Sequence, residues 1–332
     1  MKAYFKFGFA LACFLVGFQL NGWANDLPAD TVKPPDTVSV GVYITSVHDV
    51  DFKEKQYAIN LWLWLKYKNP AFDFQKNLEV PMAKTFEKSY STLDTLEDGT
   101  IYLLMKLQCI MKGNWKIAHF PFDRQKLRFS IENSNFDASQ LVFTADTTGE
   151  HYGKYFMPEW IKDSLTITSD IKHYETGFGD SSLEKPESDY GSFKVILSVH
   201  RESLELFLKL FLGMYISFLI AWVCVFIDPN HTELRLSLSV GALFAVIGNK
   251  YIIDSTLPES LTFTLVDSLH GITLFYVFLV TAESVLTARI WQNGNPDKAK
   301  RLNKIIHSIL FFLYLVCNFW MVFHSYYSET GA

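Results

Sequence analysis

Residues 204–327 fall into four long apolar runs, and these limit the possible folds more than any other feature of the 332-residue chain. The runs cover about 204–227, 234–253, 261–290 and 304–327. Each is near or above the ~20 residues with which a helix crosses a bilayer. "DPNHTE" (228–233), "DSTLPES" (254–260) and "QNGNPDKAKRLNK" (292–304) separate them. Residues 203–332 are therefore expected to form a four-helix transmembrane bundle.

The rest of the chain reads differently. Residues 1–24 have the build of a secretory signal, with Lys2 and Lys6, an apolar Phe7–Phe18 and a small-residue end at Gly22-Trp23-Ala24. Residues 25–202 are then expected to form an exported domain. From Thr37 to His200 the pattern is β: 38–47, 57–67, 100–111, 126–133, 164–174 and 192–201 are rich in β-branched and aromatic residues. Asp98-Gly99, Gly113-Asn114 and 177–191 supply turns. Many short strands with turn signals predict an all-β, immunoglobulin-like sandwich.

Topology follows from the exported N-terminal domain. Four spans return the C-terminus to the same outer side, as in a multi-pass protein of an inner (plasma) membrane with its β domain in the periplasm. The inner segment 289–304 carries Arg289, Lys298, Lys300, Arg301 and Lys304, whereas the outer 254–260 carries no Lys or Arg. That is the asymmetry of the positive-inside rule.

Several classes are disfavoured. A net charge of −5 gives no reason to expect a nucleic-acid partner. The four cysteines, Cys13, Cys109, Cys224 and Cys317, form neither a disulfide framework nor a metal spacing. No Gly-rich phosphate loop, HExxH or GxSxG occurs, so neither an enzyme nor a cofactor is expected. The inner loops are too short for the output domain of a membrane-anchored sensor, although a non-conducting ligand-binding receptor stays open as the alternative.

The second run carries the polar residues. One stripe is Glu233, Ser237, Gly241, Phe244, Gly248 and Tyr251; a neighbouring one is Arg235, Ser239, Ala242, Val246, Asn249 and Ile253. Both follow one face at 3.6 residues per turn, and periodicity does not choose between them. A pore-lining helix would place Glu233 in a carboxylate ring, which favours cations. Close helix packing through small residues is the plainer account of the same pattern.

The stretch "HFPFDRQ" (119–125) puts a proline between two aromatics, which marks a bent loop and not a strand interior. With its surroundings, "EDGTIYLLMKLQCIMKGNWKIAHFPFDRQ" (97–125), it resembles the strand pair and signature loop of pentameric ligand-gated ion channels, in particular the prokaryotic branch. The resemblance extends to Trp160, to Arg201 before the first span and to "NKYIIDSTLP" (249–258). Two departures are clear: Gly113 and Leu127 stand where animal members have bridging cysteines, and 203–215 lacks the usual proline.

The resemblance implies a homopentamer in membrane lipid around a central pore, opened by a small, amine-like agonist or by protons and passing monovalent cations. It puts the pore face on Glu233, Ser237, Gly241, Phe244, Gly248 and Tyr251, with Arg235 beside the Glu233 ring and Phe244 as a bulky gate. It puts the inter-subunit agonist site at Glu132, Phe136, His173 or Tyr174, Tyr190, Phe86 and Trp64. It assigns coupling between domains to Asp51, Phe120, Pro121, Phe122, Asp123 and Arg201, with the two Asp and the Arg as a charge cluster, and the Phe pair pressing near 254–260. His48, His119 and His173 are minor proton-sensing candidates, and Val246 replaces the family's membrane-span histidine.

Overall fold

A computed structural model describes residues 33–158, 160–181 and 185–330, with side chains to 328. The expected signal, 1–24, lies outside the described residues. Asp36–Ala332 forms one compact unit.

Among the described residues nine strands come first: β1 (Asp36–Asp51), β2 (Gln56–Tyr67), β3 (Leu78–Glu79), β4 (Ala83–Thr95), β5 (Ile101–Lys112), β6 (Arg124–Asn133), β7 (Leu141–Ala145), β8 (Ile161–Tyr174) and β9 (Ser188–His200). A short helix, α1 (Phe74–Asn77), precedes β3. The strands form two sheets, in the orders β4-β5-β2-β1-β7 and β3-β6-β9-β8. Alternation drives this. On β2, Tyr57, Ile59, Leu61, Leu63, Leu65 and Tyr67 are buried and the residues between them are not, as the two-residue period of a strand requires. They meet Phe129, Ile131, Phe193, Val195 and Leu197 of the facing sheet in one core.

Three strands, the two-residue β3 and the longer β4 and β7, were not anticipated from the sequence. β4 buries none of its 13 residues fully, so no apolar alternation marks it; Lys84, Glu87 and Lys88 give it the charged character of a protected edge. β7 is only five residues long, and its parallel pairing with β1 is non-local.

Four helices follow, each long and apolar enough to cross a membrane: α2 (Ser203–Val223, with a 3₁₀ turn to Phe226), α3 (Thr232–Asp254), α4 (Leu265–Gln292) and α5 (Pro296–Thr330). Two starts differ from expectation. α4 begins at Leu265 and not at 261, because Thr264 and Asp267 make a reciprocal capping box. α5 begins at Pro296 and not at 304. Proline suits a first helical position, so the basic segment read as a connecting loop is mostly helix and only 293–295 join the two helices.

That early start has a use. It brings Asn303 and His307 of α5 inward, to Arg235 of α3 and Glu283 of α4. Arg235, fully buried, donates to Glu283 Oε2 (2.7 Å), Asn303 Oδ1 (2.6 Å) and Thr287 Oγ1 (3.0 Å). His307 Nδ1 lies 3.3 Å from the same Glu283 oxygen, and Asn303 donates to the Val225 carbonyl after α2 (2.9 Å). One polar cluster thus ties all four helices. Removing one partner of such a pair strands a buried charge at a cost of about 3–5 kcal/mol, whereas a shaped apolar replacement of both is far better tolerated. Accordingly, Glu283→Ala should lower the melting temperature of the detergent-purified protein sharply, and Arg235→Met with Glu283→Leu should recover most of the loss. A double variant no better than the single one would contradict this account.

Candidate functional site

At one end of the four-stranded sheet three elements converge. Glu132 closes β6, Tyr174 ends β8 and Tyr190 opens β9, where it pairs with Lys172. Glu132 is buried and accepts a 2.8 Å hydrogen bond from the Tyr174 hydroxyl. Tyr174, Tyr190 and Phe178 stand edge-on to one another with centroids 5.5–6.2 Å apart. Burial raises the Glu132 pKa above the usual carboxylate range; the Tyr174 hydroxyl opposes this, and Glu79, its cross-strand partner, adds to it. Burial and Glu132 together push the Tyr174 hydroxyl upward. The result is a carboxylate at the base of three rings. The chain's own Lys172 ammonium already sits 5.6 Å from the Tyr174 ring.

The other expected binding residues are distributed. His173 is exposed and pairs with Asp189 at 2.8 Å, which raises its pKa. Both line a cavity of about 720 Å³ beside Phe178 and Tyr190. Phe136 packs edge-on against Phe72 at 5.0 Å, on the sandwich core. Trp64 and Phe86 belong to the other sheet. Trp64 donates its indole N–H to Asp146 (3.0 Å), whose pKa falls to about 2 chiefly through hydrogen bonds from Thr148 and this indole. Among the described contacts none joins these two aromatics to the Glu132 cage. Phe178 was not foreseen; its only signal in the sequence is an aromatic inside the polar turn "TGFGD".

The signature loop lies between the sandwich and the helices. Phe120 and Phe122 share one buried cluster with Phe52, Phe207, Leu257 and Leu265. Phe122 contacts Phe207 of α2 (5.4 Å) and Tyr326 of α5 (5.7 Å), so its partners are these helices more than 254–260. The Ala118 carbonyl accepts the first amide of α4, from Leu265, at 2.8 Å. Arg201 stacks on aromatic rings. Its guanidinium lies 4.2 Å from the Trp160 ring, 4.5 Å from Phe52 and 5.4 Å from Phe120. Asp123, 1% exposed, accepts from the Gln125 amide at 2.5 Å, and Gln125 in turn clamps both backbone groups of Lys116. Asp51 caps its own turn through the Glu54 amide (2.8 Å). A planar, weakly hydrated guanidinium stacks on rings readily, so aromatic faces are part of what holds Arg201.

On α3 the two stripes part. Arg235, Ser239, Ala242, Val246 and Ile253 are buried, and Asn249 bridges the Leu210 carbonyl and His270 at 3.0 Å each. Glu233, Ser237, Gly241, Phe244, Gly248 and Tyr251 are all exposed on the protomer. Arg235 thus points into the bundle and not toward Glu233.

No family model matches the chain. Over 93% of its length it is 20% identical to the proton-gated ion channel of Gloeobacter violaceus, 89% of which is covered. It is 18% identical to the mouse gamma-aminobutyric acid receptor subunit theta and 22% identical to the pH-sensitive chloride channel 2 of Drosophila melanogaster. It spans 44% and 57% of those two animal proteins. The chain belongs to the pentameric ligand-gated channel superfamily. It is a multi-pass membrane protein, and a sandwich followed by four apolar helices is the architecture that superfamily implies.

Within this superfamily member, the Arg201 stack joins the last strand to the signature loop. A desolvated cation–π contact is worth roughly 2 kcal/mol or more. Arg201→Gln should therefore lower thermal stability measurably, and Arg201→Lys should not restore it, since an ammonium lacks the planar face. Wild-type melting of Arg201→Gln would sink the assignment.

Proposed function

We propose that this chain forms a homopentameric, cation-conducting channel of a bacterial inner membrane, opened by a small amine bound between subunits at the outer domain. In this reading residues 25–202 form the periplasmic domain and 203–332 the pore domain. The basic start of α5 faces the cytoplasm, in line with the positive-inside rule. The observation that carries the pore assignment is the division on α3. The stripe with Glu233 is uncovered in the protomer while Arg235 is consumed inside the bundle. A ring of Glu233 side chains would then meet ions without a neutralising guanidinium beside it, and carboxylate rings favour cations. Superfamily relatives include chloride channels, so selectivity is the property to measure.

The amine is inferred from the cage: three rings and a buried carboxylate form a site that attracts an ammonium group. A specific observation favours a second reading. Two relatives are named as a proton-gated channel and a pH-sensitive chloride channel, so protons themselves are the alternative stimulus.

Recording from the purified protein in planar bilayers, across a pH series and an amine panel, tests both readings. Glu233→Lys should move the reversal potential in a salt gradient from the cation toward the anion limit, and Phe244→Ala should alter gating. A wild-type reversal potential in the first and wild-type activation in the second would defeat the pore assignment. Glu132→Gln should weaken amine activation about tenfold or more, the equivalent of ~1.4 kcal/mol. The pH dependence has a defined sign. Glu132 is held above the usual carboxylate range, so acidification neutralises it early and amine affinity should fall as pH drops through that raised value. By the same linkage the unliganded cage loses stability as pH rises through it. Amine potency that rises on acidification would overturn the cage; currents evoked by acid alone would favour protons.

A further inference from the structure

The outward face of β6 carries a feature that the proposed channel does not use. Strand alternation buries Gln125, Leu127 and Phe129 and turns Arg124, Lys126 and Arg128 outward. Between Arg124 and Ile131 the strand pairs with β9 on one side, and β3 reaches the other side only at Glu132 and Asn133. Below that open edge lie the end of β5 and the start of the signature loop, which bring in Lys112 and Lys116. These five cations line one groove of about 450 Å³ with a single carboxylate, Asp163. Asp163 is already engaged, 2.7 Å from His200 and 3.7 Å from Arg124. Among the described residues Lys112, Lys116, Lys126 and Arg128 form no salt bridge. Such a concentration of one sign, in a chain of net charge −5, is repulsive unless a counter-ion occupies it.

We propose that this groove binds a phosphate group. The remaining polar lining suits one: the Asn114 amide and the Ser164 and Ser198 hydroxyls can all donate. Donors approach from the β5 end, the loop, β6, β8 and β9, so an anion with oxygens on every side fits better than a planar carboxylate. Guanidinium forks match phosphate geometry in pairs, while the lysines act as point charges. The groove also borders the joint. The backbone of Lys116 is clamped by Gln125, which donates to Asp123. A phosphate bridging Lys116 and Arg124 therefore stiffens the signature loop.

The test uses full-length protein in POPC nanodiscs, in phosphate-free buffer at fixed ionic strength, titrated calorimetrically with inorganic phosphate and with chloride as the control. Saturable binding of one phosphate per chain is expected, with a rise in melting temperature. Lys126→Gln with Arg128→Gln should weaken it about tenfold or more. Lys116→Gln alone should weaken it less, and Lys68→Gln, outside the groove, should leave it unchanged. The substituted side chains are exposed, so each variant should melt like wild type without phosphate. A second arm uses roughly 3:1 POPC:POPG. Loss of phosphate binding there, with less POPG retained by the double variant, identifies a lipid headgroup as the natural source. Unchanged binding identifies free phosphate or a soluble phosphate ester. No saturable binding in either arm, or binding indifferent to Lys126 and Arg128, overturns the proposal.

Discussion

A guanidinium with no exposure to solvent inside a membrane bundle is tolerated only when its surroundings are built around it. Arg235 is such a group, and the rotation of α3 depends on it. With its two terminal guanidinium nitrogens donating to Glu283, Asn303 and Thr287, the helix cannot turn about its axis without breaking the cluster. Every residue on the opposite stripe is thereby aimed away from the bundle. The same cluster draws on Asn303 of α5, which a helix starting at 304 would leave out. A basic segment that resembles a surface loop is thus partly an element of the interior.

Above the bundle the logic is aromatic. Phe52, Phe120, Trp115 and Trp160 surround or adjoin the Arg201 guanidinium, and Phe122 reaches two helices at once. Strand ends, signature loop and helix starts therefore share one packed cluster, and a displacement at the strand ends has no slack region in which to be absorbed. No disulfide brackets the loop: Gly113 and Leu127 occupy those places, and Cys109, Cys224 and Cys317 are free. The Gln125 clamp on Lys116 closes the loop by hydrogen bonds instead.

How much of this was legible in the sequence follows from which side chains had a buried face. The long strands of the core and the four apolar helices announced themselves by period and length, whereas the short β3 and β7 did not. β4 did not, because a strand with no buried face has no period to show. The rival stripes on α3 were indistinguishable by spacing, because both fit a helix and only the partners of Arg235, contributed by α4 and α5, separate them. The signature loop could be placed by resemblance, but the rings around Arg201 come from separate segments, at Phe52, Phe120 and Trp160, and no sequence spacing brings them together. Phe178 was missed for a related reason: one aromatic in a polar turn has no pattern until Tyr174 and Tyr190 are seen beside it.

The distribution of the expected ligand residues over two sheets has a physical consequence for the proposed assembly. Glu132, Tyr174 and Tyr190 lie on the four-stranded sheet, and Phe178 closes their cage while remaining 65% exposed. A ring so exposed shields a bound cation from water on one side only, and a half-open cation–π site is worth much less than a desolvated one. Trp64 and Phe86 lie on the other sheet of the same protomer. In a ring of identical subunits one sheet of each copy can face the other sheet of the next, as a heterologous interface requires. On the proposed reading the cage is therefore completed by the assembly, and agonist affinity and subunit contact are parts of one free energy.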